Sequence, residues 1–250
     1  MPPVRISFDM DGVLADMDSA LARIAEQEFS VVAKPGGADT SILQAGAGSG
    51  AASDAGAAEA GGTDALPPYD TALLNTLTPR QQARLWQRVR DTRNFWESLA
   101  ECEPGTVKRL QKLAHDLRWD VLFVTQRPGT AGRTQQLQTQ HWLRRHGFEY
   151  PAVYTTIGSR GTIAAALTID AHIDDRLQHC IDVATESKAW PILVWRDADS
   201  FDRISAGCKS LGIAVVRTVA EALDHIEQAD RAAAQSEQPT LLDRLKRAFK

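Results

Sequence analysis

Apolar and polar positions along the chain follow two alternating rhythms. Short, nearly unbroken apolar runs recur at 4–8 (VRISF), 121–125 (VLFVT), 152–156 (AVYTT), 171–174 (AHID), 192–195 (ILVW) and 213–217 (IAVVR). Runs of this length predict strands, and several of them are unbroken enough for a sheet with helices on both faces. Between them lie stretches with helical spacing. In 104–117, Val107, Leu110, Leu113, Ala114 and Leu117 share one stripe. The patterns at 134–147 and 199–212 end on Gly147 and Gly212, each placed to close a helix in the left-handed conformation. Strands alternating with helices predict an α/β fold, a three-layer sandwich around a mostly parallel sheet.

Residues 17–99 break this alternation. At 18–29 a helix is expected with Leu21, Ile24, Ala25 and Phe29 facing inward, and at 78–92 a second one. There Thr78 is the N-cap, Pro79 takes the first helical position and Gln81 closes a capping box. Between these helices, 45–62 is almost entirely Gly and Ala. Such a stretch cannot bury enough surface to offset its ordering entropy, so about 34–66 is expected to be a flexible loop. The division that follows is a core of 1–16 plus 100–230, a small helical insert at 17–99, and a tail at 231–250. In the tail, 240–250 has the pattern of a short basic helix.

Composition narrows the function classes. The chain has 250 residues, 43% hydrophobic and 24% charged, with a formal net charge of −4. Neither that charge nor any basic stripe with interleaved aromatics suggests nucleic-acid binding. No apolar run approaches the roughly 18 residues of a membrane span, and MPPVRISF lacks the apolar region of a signal peptide. The three cysteines, Cys102, Cys180 and Cys208, are far apart and odd in number. They suit buried positions in a protein of the reducing cytoplasm.

The first strand runs directly into Asp9 and Asp11, then Gly12. Ligands of parallel α/β sheets bind beyond the carboxyl ends of the strands. Asp9 would sit there, and so would Asp174 and Asp175 after the 171–174 strand. At about 4 Å and an effective dielectric near 20, each like-charge pair costs about 4 kcal/mol, so a cation is expected among them. Oxygen donors with no His or Cys nearby point to Mg²⁺. An EF-hand is excluded, since its sixth and twelfth loop positions would be Leu14 and Ala20. A receiver domain fits poorly, because the leading aspartate follows the first strand and a long insert comes next. A G-x-x-x-x-G-K-[ST] phosphate loop is absent.

In order and setting, DMDGVLAD (9–16), VLFVTQRP (121–128) and GSRGTIAAALTIDAHIDDR (158–176) resemble the motifs of the haloacid dehalogenase (HAD) superfamily of phosphohydrolases. DMDGVLAD and IDDR are most similar to its 5′(3′)-deoxyribonucleotidase branch. The resemblance implies a Rossmann-like core with a helical cap inserted after the first strand. It implies a Mg²⁺-dependent phosphatase acting on a small phosphorylated metabolite, with a nucleoside monophosphate as first guess. Asp9 would be the nucleophile that becomes an aspartyl phosphate, and Asp11 the general acid and then base. Asp9, the Asp11 carbonyl, and Asp174 or Asp175 would hold the metal. Thr125, with the backbone N–H groups of Gln126 and Arg127, would hold the phosphate.

One position departs from that pattern. The superfamily has a lysine at a helix start before the acidic pair, whereas this chain offers Arg160 and no lysine between Lys112 and Lys188. Arginine can grip a phosphate bidentately, so Arg160 is expected to replace the lysine. The departure leaves two alternatives open: a phosphate-binding or interaction protein with little turnover, or a phosphotransferase to an acceptor other than water. The side chains of Arg127 and Arg133 are further candidates for an anionic substrate. Phe29, Tyr69, Trp86, Phe95 and Trp96 are expected to pack the insert, or to offer a face to a nucleobase. No role is expected for the six histidines. All of this requires Asp9 to lie within about 10 Å of Asp174 and Asp175, the range over which exposed charges still act on each other.

Overall fold

The computed structural model describes residues 3–29 and 72–234. The Gly/Ala-rich loop expected at 34–66, Tyr69 and the helix expected at 240–250 lie outside the described residues. Six strands form one sheet: β1 (Arg5–Phe8), β2 (Asp120–Thr125), β3 (Ala152–Thr155), β4 (Ala171–Asp174), β5 (Trp190–Val194) and β6 (Ala214–Val216). They stand in the order β3-β2-β1-β4-β5-β6, and every neighbouring pair is parallel. This is a Rossmann-like, doubly wound α/β fold, with its topological switch between β1 and β4.

Side chains alternate across the sheet and sort the helices into two layers. Phe8, Phe123, Ile173, Ile192 and Val194 enter one large apolar cluster, roofed by α4 (Thr106–Leu117), α5 (Gln135–Arg145) and α9 (Val219–Ala234). Leu193 and Trp195 point the other way, towards α7 (Leu177–Glu186) and α8 (Phe201–Ser210). Beside them α6 (Arg160–Ala166) packs on α7. Helix α9 runs four residues past the expected boundary at 230.

Strand β5 starts two residues earlier than its apolar run suggests. Pro191 is the reason the sequence hides this start, since proline supplies no ladder donor. Trp190 donates to the Asp170 carbonyl and Trp195 to that of Val216, so alternation turns the Pro191 nitrogen towards β6. At that level β6 has not yet begun, and no donor is needed.

Within 17–99 the structure contains α1 (Met17–Phe29), α2 (Ala72–Thr76), α3 (Pro79–Asp91) and a short 3-10 helix (Phe95–Glu97). The capping box at Thr78 and Gln81 is formed. Leu21, Leu85, Trp86 and Trp96 belong to the same continuous apolar cluster as Phe8 and Phe123, so these helices do not have a separate core. Trp86, Phe95 and Trp96 are buried, which leaves no open face on them for a base. Phe29 is half-buried under the Arg84 guanidinium.

Two glycines allow close approach near the sheet's carboxyl edge. A Cβ on Gly161 would lie 2.1 Å from the Asp182 carbonyl oxygen, so its absence lets α6 seat against α7 and sets where Arg160 begins that helix. A Cβ on Gly12, where φ is +80°, would lie 1.9 Å from Asp175 Oδ2. Backbone oxygens yield less readily than side-chain ends, so Gly161→Ala should destabilise by about 1–3 kcal/mol. In a domain of this size that lowers Tm by roughly 2–12 °C. Calorimetry checks it, and an unchanged Tm would show that the α6–α7 contact yields freely.

Candidate active site

The switch point brings the predicted carboxylates together. Asp9 extends β1, its N–H donating to the Ile173 carbonyl, and Asp174 ends β4. Oxygens of Asp9 and Asp174 and a ring nitrogen of His179 all lie within 4.8 Å of one another, well inside the 10 Å required. Asp175, the next residue, lays Oδ2 against Gly12. The same narrow cleft is lined by Asp11, Asp18, Gln126, Arg160 and Arg176, and its volume is about 30 Å³. That is room for a water or two, since one water needs roughly 10–15 Å³ of such space.

Each carboxylate has a different set of partners. Asp9 Oδ1 accepts from Arg160 Nη2 at 3.2 Å, and Oδ2 accepts from the Asp11 N–H at 3.0 Å. Asp11 meets Arg127 through both oxygens, with Nε at 2.8 Å and Nη2 at 2.5 Å. Asp174 Oδ2 lies 3.1 Å from His172 Nε2 and 2.9 Å from His179 Nδ1, while Oδ1 accepts from the Arg176 N–H. His172 is held in turn by Ser7 Oγ, 2.7 Å from its Nδ1. The expectation that no histidine stands near the acidic cluster, and that the histidines have no role, is therefore corrected. His172 alternates with Asp174 on one face of β4, and His179 reaches back from the first turn of α7. The two-residue spacing of His172 and Asp174 was a signal in the sequence; the reach of His179 depends on the angle of α7.

Arg160 opens α6 and turns its guanidinium onto Asp9. It is 2% exposed, and its Nε stands 4.0 Å from Asp174 Oδ2. Thr125 ends β2 fully buried. Gln126 lines the cleft. The Arg127 guanidinium is turned onto Asp11 and is fully buried. Arg133 pairs with Glu97 at 3.0 Å, which also faces His141 and Arg145. Arg196 bonds the carbonyls of Gly12 and Val13 and so braces the loop after β1 from the β5 side, a role with no local signal in the sequence.

Charge and satisfaction show what the site lacks. Burial, and then the Asp174 charge, push Asp9 up to about 7 despite Arg160. Burial and the charges of Asp174 and Asp9 raise Asp175 well above the usual carboxylate range. Burial would raise Asp174 also, but the charges and hydrogen bonds of His179 and His172 outweigh it and hold Asp174 well below that range. Among the described residues, three buried side-chain atoms have no hydrogen-bond partner: Thr125 Oγ1, Arg160 Nε and Asp175 Oδ1. Orphaned polar atoms of this kind are rare in folded proteins. An unpaired carboxylate oxygen among acids pushed upward fits a divalent cation; an unpaired hydroxyl and an unpaired guanidinium N–H each fit an anion.

No family model matches the chain, and no curated protein does. Among solved structures, it is similar to a HAD hydrolase, family IA, variant 3, from Entamoeba histolytica, with 11% identity and a TM-score of 0.48 over 97% of this chain and 99% of that one.

The raised acids give the metal-free protein a pH dependence. A carboxyl whose pKa rises on folding contributes stability below its unfolded value, about 4, and loses it as pH climbs through the folded value. For Asp9 that loss runs up to about 7, and Asp175 adds to it in the same direction. Asp174, shifted down, contributes stability in full above the unfolded value and loses it only as pH falls below that value, outside this window. Metal-free protein should melt lower at about pH 8 than at about pH 5, by roughly 3–6 °C for every tenfold gain in proton affinity on folding. A divalent cation taken up by these acids would raise Tm more at the higher pH. Melting curves with and without chelator check both signs, and a Tm that climbs across this window in chelator would refute them.

Proposed function

We propose that the protein is a Mg²⁺-dependent phosphatase of the HAD type, acting on a small phosphomonoester through an aspartyl phosphate on Asp9. The observation that carries this reading is a set of three buried atoms without a hydrogen-bond partner, Thr125 Oγ1 and Arg160 Nε on one hand and Asp175 Oδ1 on the other, at the sheet edge where Asp9, Arg160 and Asp175 line one cleft. The first two suit an anion and the third a cation, as a bound phosphate with its metal would provide.

In this reading an oxygen of Asp9 forms a bond to phosphorus as the bond to the ester oxygen breaks. Asp11 gives its proton to the departing oxygen. Water then attacks phosphorus, Asp11 takes its proton, and the bond to Asp9 breaks to release phosphate. Arg160 and Thr125 hold the phosphoryl oxygens, and Arg160 also keeps Asp9 aimed. Asp9, Asp175 or Asp174, and the Asp11 carbonyl would hold Mg²⁺, which supplies charge stabilisation to the phosphoryl oxygens. Helices α1–α3 serve as the cap over this edge. A nucleoside monophosphate stays the first guess for substrate on the motifs, but the burial of Trp86, Phe95 and Trp96 removes three of the aromatic faces a base would use.

A second reading, phosphate binding with little turnover, draws on one observation: both oxygens of Asp11 are engaged by Arg127, so a proton transfer requires one of them to leave the guanidinium. A panel of phosphomonoesters with and without Mg²⁺ separates the two. Metal-dependent phosphate release supports the enzyme, and tight binding without release supports the second reading. Asp9→Asn should abolish turnover with the fold intact by circular dichroism, and Arg160→Ala should lower kcat/KM at least about tenfold, the loss of one charge-stabilising contact. Wild-type rates in Asp9→Asn would end the proposal.

A further inference from the structure

The Arg127–Asp11 pair needs an account within the phosphatase reading itself. It is a bidentate ion pair with both side chains buried, at 0% and 3% side-chain exposure. Desolvating two such charges is costly, and well-packed apolar residues in their place are often as stable or more so. What a bidentate guanidinium adds over an apolar contact is orientation. Arg127 is itself fixed on two further sides. Its Nη1 donates to Thr139 Oγ1 on α5 at 2.7 Å, and its guanidinium carbon stands 4.8 Å from the centre of the Trp96 ring. Trp96 is anchored by Nε1 to the Pro128 carbonyl at 3.0 Å and by its N–H to Gln138 Oε1 at 3.1 Å. It sits in the short 3-10 helix where the chain passes from α3 back to the sheet layers.

We infer that Arg127 is a positioning residue that sets the rotation of the Asp11 carboxyl for proton transfer to the leaving oxygen. This rests on the phosphatase reading above. The guanidinium holds both Asp11 oxygens. To donate, Asp11 carries its proton on one oxygen, which leaves the guanidinium and turns to the ester oxygen. The other oxygen stays on Arg127 as a pivot. Thr139 and Trp96 keep that pivot still, so the joint between the inserted helices and the core helps to set the aim of the acid.

The role can be separated from mere structural support by the leaving group. An alkyl phosphate departs as a strongly basic oxygen and needs the acid; p-nitrophenyl phosphate departs as a stabilised phenolate and hardly needs it. General acid catalysis is worth roughly 10²–10⁴-fold. Arg127→Lys keeps the charge but not the two-pronged grip. It should slow hydrolysis of glycerol phosphate at least about tenfold more than hydrolysis of p-nitrophenyl phosphate, with the loss in kcat and KM little changed. Thr139→Val, which removes the Nη1 partner along with the hydroxyl's bond to the Gln135 carbonyl within α5, should shift the same ratio in the same direction by a smaller factor, and it covers the case in which Arg127→Lys does not fold. In an Asp11→Asn background neither substitution should alter the ratio further. Equal slowing of both esters, or the same shift without the Asp11 carboxyl, would overturn the role of Arg127 while leaving the phosphatase standing. If wild-type protein with Mg²⁺ hydrolyses neither ester, or if Asp9→Asn is as fast as wild type, the phosphatase reading falls and takes this inference with it.

Discussion

The constraint on which the rest depends is the crowding of buried carboxylates at one sheet edge. A parallel sheet with strand order β3-β2-β1-β4-β5-β6 necessarily opens a crevice where β1 and β4 part. In this chain both strands end on aspartate. The fold offsets that charge with a different device at each acid: Arg160 at Asp9, Arg127 at Asp11, and two imidazoles at Asp174. Asp175, alone of these four acids, keeps a buried oxygen without a partner. The packing of the neighbouring helices follows from these pairings. Gly161 lets α6 bring Arg160 close, and Gly12 lets the loop after β1 pass under Asp175.

The acids are not equivalent, although the sequence presents them as two similar pairs. Asp9 and Asp175 are pushed towards the neutral form by burial and by neighbouring acids, whereas Asp174 is held ionised by His172 and His179. One strongly ionised acid beside two reluctant ones is an arrangement in which added positive charge is taken up with little reorganisation. Environments that drive neighbouring titratable groups apart are typical of reactive sites.

The strands, their parallel pairing and the edge on which Asp9, Thr125 and Asp174 stand were legible in the sequence, because buried strands and strand ends leave a local apolar signature. Helix caps such as Thr78 with Gln81 were legible for the same reason. What was not legible arises between elements far apart in the chain. Arg127 lies 116 residues from Asp11, and nothing local tells a substrate-facing arginine from one turned inward. The ring of His179 reaches Asp174 only because α7 leaves β4 at a particular angle. Pro191 concealed the start of β5, since the rule against proline in strands does not foresee a neighbour that begins one residue later.

The shared apolar mass beneath the inserted helices bears on how anything enters. Leu21, Leu85, Trp86 and Trp96 lean on the same interior as Phe8 and Phe123. Swinging α1–α3 away as one block would wet that interior, at about 25 cal/mol for every Å² uncovered. Admission by small rotations of individual side chains around the loop 9–16 avoids that cost. In the phosphatase reading, a doorway of that sort would favour compact guests over bulky ones and would tie the choosiness of the protein to how tightly its centre is packed.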